Sequence, residues 1–203
     1  LMTTVLGNVA SAGKVKLLDL NFPRRYVERY QGPKFGVQGL RDVLGVQDRP
    51  LLNAMIKPNV GWTPEEGAKL FYEAAAGGCD VIKDDELMPA DEAHCPLKKR
   101  VQLFMEAERR AYEETGEHTL YTVNITDRAD RIRDNALRAI EYGANALMLN
   151  YYTAGFAVAQ SLTEDKDINV PVLAHVDFLG AMASAEDYGV SAPLLAGKLS
   201  RMC

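Results

Sequence analysis

The chain has 203 residues, of which 47% are hydrophobic and 25% are charged, a composition typical of one globular domain with a sizeable core. The formal net charge of −5 and the sequence pI near 5.3 give no basic surface, so we expect no nucleic-acid partner. No apolar run approaches the roughly 18 residues of a transmembrane helix, and the three cysteines include no close pair. These features predict a cytoplasmic protein with no membrane partner.

The opening of the chain predicts the end of one domain followed by a connection. Residues 1–20 contain two short apolar stretches, which we interpret as the end of an N-terminal α+β domain, or as a strand that leads into the next domain. Residues 21–50 are rich in Pro and Gly and hold a short helix candidate at 39–44, a pattern that indicates a connection. Because the chain begins inside an apolar segment and stops within a helical pattern, we expect a fragment of a longer protein.

From residue 51 onward, strand patterns and helix patterns alternate. Apolar and β-branched runs predict strands at 51–56, 79–82, 119–125, 144–149 and 170–174. Amphipathic segments predict helices at 63–77, 96–115, 127–142 and 155–162, and a last helix that begins near Pro193. Such an alternation predicts a parallel sheet covered by helices.

Polar residues occupy the carboxyl ends of these predicted strands, namely Lys57, Lys83, Asp85, Glu86, Asn124, Asn150 and His175. An open, doubly wound α/β sheet would spread them along an edge, whereas a (β/α)8 TIM barrel gathers them at one mouth. The barrel is the interpretation that we adopt. A complete barrel needs roughly 250 residues, so residues 51–203 would form its N-terminal part, about the first five βα units.

Four ionisable residues, Lys83-Asp84-Asp85-Glu86, come directly after the predicted strand at 79–82. Buried charges are unfavourable unless they are paired or bind a metal. Because side chains alternate along a strand, Lys83 and Asp85 are expected on one side and Asp84 on the other. An ion-pair cluster in which Lys83 pairs with Asp85 or Glu86, with no further role, would also satisfy this pattern.

The same residues fit a magnesium site. Asp85 and Glu86 would supply the oxygen ligands that Mg²⁺ prefers. The ion would disfavour the ammonium form of Lys57, whose free amine could then remove a proton next to a polarised carbonyl. His175 is suited to pair with substrate oxygens or to relay a proton. As a cation Lys83 would repel the metal, but a carbamate formed from its amine and CO₂ would be a third anionic ligand.

Each of these residues also has a purely structural interpretation. Lys57 precedes Pro58 and fits a turn, and His175 fits a hydrogen-bonded core histidine. Asn124 and Asn150 are residues that commonly form turns. Only their common position at strand ends favours a site, and that argument depends on the barrel.

The motifs resemble those of the large subunit of ribulose-bisphosphate carboxylase (RuBisCO), and more closely those of the RuBisCO-like proteins of the form IV type, which do not carboxylate. The matching residues span nearly the entire chain: Gly7-Asn8, Tyr30-Gln31-Gly32-Pro33, Ile56-Lys57-Pro58, Gly77-Gly78 with Asp80, Lys83-Asp84-Asp85-Glu86, Gly155-Phe156 and His175. The Lys-Asp-Asp-Glu block after Gly-Gly is the most specific of them.

The resemblance implies a role for each matching position. Lys83 would carry the CO₂-derived carbamate, and Asp85 and Glu86 would complete the Mg²⁺ site. Lys57 would handle the enolisation proton, and His175 would be an active-site histidine.

Asn8 resembles an asparagine that a neighbouring subunit contributes to the site, which implies an antiparallel homodimer or a higher homo-oligomer of the full-length protein. Two positions depart from the carboxylases. Asn59 stands where they have a second lysine, and Val176 stands where an arginine clamps one phosphate of the bisphosphate. A neutral valine cannot replace a bidentate cation.

The resemblance therefore implies a Mg²⁺-dependent RuBisCO-like enzyme that enolises or isomerises a phosphorylated ketose-type substrate, for example a methylthio-sugar phosphate, through an enediolate. The salvage enolases have a lysine where Asn8 stands, so an isomerase-like or decarboxylating lyase branch fits equally well. Two alternatives stay open. One is a true carboxylase, and the other is a catalytically incompetent fragment whose unpaired strand edges favour aggregation.

Overall fold

The structure is a computed structural model that describes residues 2–203. Its strands are β1 (Lys16–Leu17), β2 (Asn53–Met55), β3 (Val81–Lys83), β4 (Leu120–Asn124), β5 (Ala146–Asn150), β6 (Val172–His175) and β7 (Gly189–Val190). Its α-helices are α1 (Met2–Val5), α2 (Val9–Ala12), α3 (Arg24–Val27), α4 (Gly36–Leu44), α5 (Pro64–Ala76), α6 (Leu97–Thr115), α7 (Ala129–Glu141), α8 (Tyr151–Ala154), α9 (Phe156–Thr163) and α10 (Leu179–Ala183). A π-helix (Pro193–Leu199) and a 3₁₀ turn (Ser200–Met202) follow.

Strands β2 to β6 form one parallel sheet in chain order. Met55 is opposite Lys83, and Asn150 is opposite His175, so the carboxyl ends of neighbouring strands are level with each other. The sheet curls into a half-barrel with helices packed against it, which confirms the predicted α/β barrel of about five βα units. The predicted strands are all present, although their observed bounds are shorter and shifted by one to two residues.

Capping groups mark the start of α5 and the end of α6. Thr63 Oγ1 accepts the Glu66 N–H at 3.3 Å, and the Glu66 carboxylate accepts the Thr63 N–H at 2.8 Å, so the Thr-x-x-Glu pattern at residues 63–66 forms a capping box. Helix α6 ends at Gly116, whose φ of 73° lies in the left-handed region that glycine adopts without strain.

The main core lies between the strands and helices α5, α6, α7 and α9. Every residue of β3 and β4 is buried, as expected for central strands of a parallel sheet. Phe71 of α5, Phe104 of α6 and Tyr121 of β4 form a three-ring cluster, with the Phe104 and Tyr121 centroids 4.5 Å apart. These rings fix both helices to the sheet.

The opening of the chain differs from the prediction. The first apolar stretch holds no strand within residues 2–10, because Met2–Val5 and Val9–Ala12 are helical; Leu1 lies outside the described residues. Only Lys16–Leu17 of the second stretch is a strand, and it pairs in parallel with Gly189–Val190. Leu17, Leu20 and Phe22 pack against the buried cluster that contains Leu194 and Leu195.

Residues 21–50 contain α3 and α4 as well as irregular segments, and α4 starts three residues earlier than predicted. The domain boundaries that we place after residues 20 and 50 stay predictions. None of the helices found within residues 2–203 is long and apolar enough to cross a membrane.

Candidate active site at the carboxyl ends of the strands

A buried ion pair between Asp84 and Arg100 holds the end of β3 on the side away from the mouth of the half-barrel. Asp84 accepts a hydrogen bond from the Tyr121 hydroxyl at 2.7 Å and one from the Asn124 N–H at 3.0 Å, and its carboxylate is 3.4 Å from the guanidinium of Arg100. Asp84 and Arg100 are both fully buried. Asp84 therefore points away from the mouth of the half-barrel, as the alternation along a strand predicts.

Arg100 extends this support to the loop that follows β3. Its guanidinium donates to the carbonyl oxygens of Ala90 and Cys95, each at 3.2 Å. Burial lowers the pKa of Arg100, but the charge of Asp84 outweighs that effect and the pKa lies above its usual value. Burial also raises the pKa of Tyr121, and Asp84 raises it further, so its hydroxyl keeps its proton and donates. These hydrogen-bonded groups hold the residues after β3 in a fixed position.

On the other side of the strand end, Asp85 faces the mouth and binds Lys57. Lys57 Nζ is 2.5 Å from Asp85 Oδ2, and Asp85 Oδ1 accepts the Leu87 N–H at 3.0 Å and the Asn59 amide at 3.3 Å. Burial alone would raise the pKa of Asp85, but the hydrogen bonds from Lys57 and Leu87 outweigh it and the pKa is lowered. Asp85 is fully buried, whereas half of the Lys57 side chain is exposed.

Glu86 links the second lysine to the histidine. Its Oε2 is 3.3 Å from Lys83 Nζ and 3.3 Å from His175 Nε2. The backbone N–H of Glu86 is the main cause that lowers the pKa of its carboxyl group, with smaller contributions from His175 and Lys83. His175 stands at the end of β6 and Lys83 at the end of β3, so the fold joins residues that are 92 positions apart.

Two asparagines have a role in this geometry that the sequence did not reveal. Asn124 Nδ2 and Asn150 Nδ2 both donate to the carbonyl oxygen of Glu86, at 3.2 and 3.0 Å. They tie the ends of β4 and β5 to the loop that carries the acidic pair. In the sequence, only the position of Asn124 and Asn150 at strand ends pointed to this role, and turn formation explained that position equally well.

The charge balance of the cluster bears on what it can hold. Asp85 and Glu86 carry two negative charges, which the ammonium groups of Lys57 and Lys83 neutralise. Within residues 2–203, no group of three His, Cys, Asp or Glu side chains is arranged to hold a metal ion. A carbamate on Lys83 would provide the third anionic ligand and leave two net negative charges, which match a divalent cation. The residues present therefore fit a Mg²⁺ site that includes a carbamylated lysine.

Two residues of the sequence motifs lie outside this cluster. Asp80 is at the opposite end of β3, where Arg49 donates two hydrogen bonds of 2.8 Å to its carboxylate and Leu52 N–H donates one of 2.7 Å. Burial would raise the pKa of Asp80, but these bonds lower it. Asn8 is exposed in the turn before α2, and no hydrogen bond within the described chain joins its side chain to the cluster.

Comparison with known families bears directly on this arrangement. Residues 36–203 match the family model described as the ribulose bisphosphate carboxylase large chain, catalytic domain. The match covers the half-barrel and all of the clustered residues.

This chain belongs to the RuBisCO large-chain family.

Within this family, the chain is similar to RuBisCO-like proteins. It is 53% identical over 202 residues to a ribulose bisphosphate carboxylase-like protein of Archaeoglobus fulgidus, covering 100% of this chain and 46% of that protein. It is 43% identical over 202 residues to a 2,3-diketo-5-methylthiopentyl-1-phosphate enolase of Bacillus velezensis, covering 100% of this chain and 50% of the relative. The chain thus spans about half the length of the curated relatives it matches.

Solved structures of the family share the fold. A RuBisCO-like protein from Alicyclobacillus acidocaldarius superposes with a TM-score of 0.93 at 36% identity, covering 99% of this chain and 51% of that one. An octameric RuBisCO from Pyrococcus horikoshii gives a TM-score of 0.92 at 34% identity, with coverages of 99% and 48%. Family members of both the RuBisCO-like and the carboxylase type therefore share this half-barrel.

The two departures from the carboxylases can now be located. Asn59 donates to the carboxylate of Asp85. Val176 follows His175 directly and is 55% exposed. This position of the mouth therefore presents an apolar surface in place of a guanidinium.

Proposed function

We propose that the protein containing this chain is a Mg²⁺-dependent RuBisCO-like enolase. The observation that carries the proposal is the single cluster in which Lys57 contacts Asp85 and Glu86 contacts both Lys83 and His175. A base, an acidic pair and a histidine at one barrel mouth are the equipment for moving a proton next to a carbonyl. Relatives named as enolases support the same reaction class.

Lys57 is the group that we assign to proton removal. Its side chain is half exposed at the mouth, while its contact with buried Asp85 fixes the position of Nζ. To act as a base, Lys57 must first lose a proton to solvent, because its ammonium group is paired with Asp85. His175, whose Nε2 already contacts Glu86, is placed to hold or relay a proton on a substrate oxygen.

Lys83, Asp85 and Glu86 are the residues that would hold Mg²⁺, with Lys83 as its CO₂-derived carbamate. When bound, the ion would polarise the substrate carbonyl as a Lewis acid. The support for this ligand set is its charge balance and the hydrogen bonds from Asn124 and Asn150, which steady the loop of Glu86.

For the substrate we propose a phosphorylated ketose-type compound with a single phosphate, such as a methylthio-sugar phosphate. Val176 lacks the charge needed to bind a second phosphate. The relative from Bacillus velezensis is named for a substrate of this class. Isomerisation of a similar compound would start with the same proton removal, and decarboxylation would form an enediolate when CO₂ leaves, so an isomerase or lyase is included in the proposal.

We also propose that the functional unit is a homodimer or a larger homo-oligomer. Asn8 is exposed, and no hydrogen bond within the described chain joins its side chain to the cluster. This position is compatible with a role in the site of a neighbouring subunit. The RuBisCO of Pyrococcus horikoshii is octameric.

The test is exchange of substrate protons with deuterated water. The full-length protein, with Mg²⁺ and bicarbonate, is incubated with a panel of mono-phosphorylated ketoses and diketoses. We expect exchange with at least one compound, and a loss of about 100-fold or more in Lys57→Ala. Lys69→Ala, which removes an exposed lysine of α5, is the matched control and should exchange at the unmodified rate.

Absence of exchange with every compound, or unchanged exchange in Lys57→Ala, would contradict the proposal. Incorporation of labelled CO₂ into ribulose bisphosphate by the same preparation would instead establish the carboxylase alternative, and would require a phosphate clamp other than Val176.

A further inference from the structure

The ring of His175 is held at both of its nitrogen atoms. Nε2 is 3.3 Å from the Glu86 carboxylate, and Nδ1 is 3.1 Å from the backbone nitrogen of Asp177. The backbone N–H of Asp177 donates, so Nδ1 must accept and carry no proton. Nε2 then carries the proton and donates to Glu86. Both contacts therefore select the same neutral tautomer.

Asp177, whose N–H contacts Nδ1, is itself hydrogen-bonded to the segment that follows β5. Asp177 Oδ2 accepts the hydroxyl of Thr153 at 3.0 Å. The same hydroxyl is 3.2 Å from the carbonyl oxygen of Asn150, but a carboxylate is the stronger acceptor for its single proton. Thr153 belongs to α8, directly after β5, so this bond joins the turns that follow β5 and β6.

The turn after His175 needs such an anchor. Phe178 has a φ of 65°, a left-handed conformation that costs a non-glycine residue about 1 kcal/mol. Phe178 is 60% exposed, so packing of its own side chain does little to hold the turn. The carboxylate of Asp177 connects this strained turn to the segment that follows β5.

We propose that Thr153 and Asp177 are positioning residues for His175. Thr153 holds the side chain of Asp177, and the backbone N–H of Asp177 then keeps the imidazole in the Nε2–H tautomer directed at Glu86. The other carboxylate oxygen of Asp177 is buried, has no hydrogen-bond partner within the described chain, and is 3.6 Å from Nδ1. The proposal rests on the proposed function only for its kinetic consequence, because the tautomer is a property of the free protein.

The Thr153–Asp177 pair excludes the alternative tautomer of His175, in which the proton is on Nδ1. With the proton on Nδ1, the Asp177 N–H would meet another N–H, and the lone pair of Nε2 would face the Glu86 carboxylate. Both contacts would become repulsive, and Nε2 could no longer donate toward the mouth. A turn released from Thr153 would lose the N–H that excludes this state.

The test uses the full-length protein labelled with ¹⁵N-histidine and compares ring nitrogen shifts. The signals of His175 are assigned by their loss in His175→Gln. We expect the Nε2–H pattern in the unmodified protein and an averaged, mixed pattern in Thr153→Val and Asp177→Ala. Thr153→Ser keeps the hydroxyl and should retain the unmodified pattern, whereas valine is nearly isosteric with threonine and lacks only that group.

Kinetics provides the second measurement if proton exchange is observed. In Thr153→Val we expect kcat for exchange to fall about tenfold with KM changed less than about twofold. Thr153→Ser should restore kcat. If weakened folding alone caused the fall in kcat, the thermal midpoint of Thr153→Val would be lowered and the ¹⁵N pattern of its folded fraction would be unchanged.

The proposal is overturned by an unmodified His175 pattern in both Thr153→Val and Asp177→Ala. It is equally overturned if Thr153→Ser is as impaired as Thr153→Val. Because the shifts are measured without substrate, a protein that enolises nothing still tests the positioning pair, and the two proposals can fail separately.

Discussion

At the scale of single residues, Asp84 and Asp85 show how two adjacent carboxylates acquire different uses. Both are fully buried, but Asp84 faces Arg100 and Tyr121 while Asp85 faces Lys57 at the mouth. The alternation of side chains along the strand sends them to opposite sides. Asp84 anchors the strand end, whereas Asp85 pairs with Lys57 at the mouth, where we propose that it is a metal ligand.

The anchoring role predicts a large loss of stability for Asp84→Asn. The substitution would leave the guanidinium of Arg100 buried without a countercharge, which costs about 3–5 kcal/mol. The measurement is the urea or thermal midpoint of the full-length protein. Asp130→Asn is the matched control, since the Arg128–Asp130 pair is exposed, and it should change stability by less than about 0.5 kcal/mol. Equal effects of the two substitutions would contradict the anchoring role.

At the scale of elements, helices α5 and α6 pack closely because a glycine lies between them. A Cβ atom at Gly67 would lie 2.6 Å from ring carbons of Trp62 and 2.7 Å from Phe104 Cζ. Trp62 and Phe104 are stacked with centroids 5.7 Å apart. Gly67 therefore permits the contact between the helix and the two rings.

This packing predicts that Gly67→Ala is destabilising, although alanine normally favours a helix by about 1 kcal/mol over glycine. Displacement of two buried rings costs about 1–3 kcal/mol, so we expect a net loss in the denaturation midpoint. Gly197→Ala is the control in another helical segment, because no atom lies within 4 Å of its added Cβ, and it should be neutral or stabilising. Stabilisation by Gly67→Ala would show that the rings move without cost.

At the scale of the whole molecule, the half-barrel has two edge strands. Strands β3 and β4 are buried throughout, whereas β2 has exposed residues at both ends and β6 is only partly buried. Within residues 2–203, β2 and β6 each pair on one side only. Unpaired backbone groups and half-exposed apolar side chains at these edges invite further strand pairing.

We therefore predict that a polypeptide restricted to residues 1–203 forms polydisperse aggregates through these edges, in contrast to the defined homo-oligomer that we propose for the full-length protein. Light scattering coupled to size-exclusion chromatography would measure this. Met55→Lys places a charge on the edge strand β2 and should reduce the association. Val37→Lys, at an exposed position of α4, should leave it unchanged. A monodisperse, monomeric fragment would contradict the prediction.

The sequence by itself determined the order of strands β2 to β6 and of helices α5, α6, α7 and α9. It also determined the capping box of α5, the parallel half-barrel and the opposite directions of Asp84 and Asp85. These features follow from local spacing and from side-chain alternation. Only the tertiary structure decided that Lys16–Leu17 pairs with Gly189–Val190, that Asp84 meets Arg100, and that Thr153 anchors Asp177. These contacts join residues that are far apart in the sequence. Local residue patterns do not specify which of them the folded chain brings within hydrogen-bonding distance.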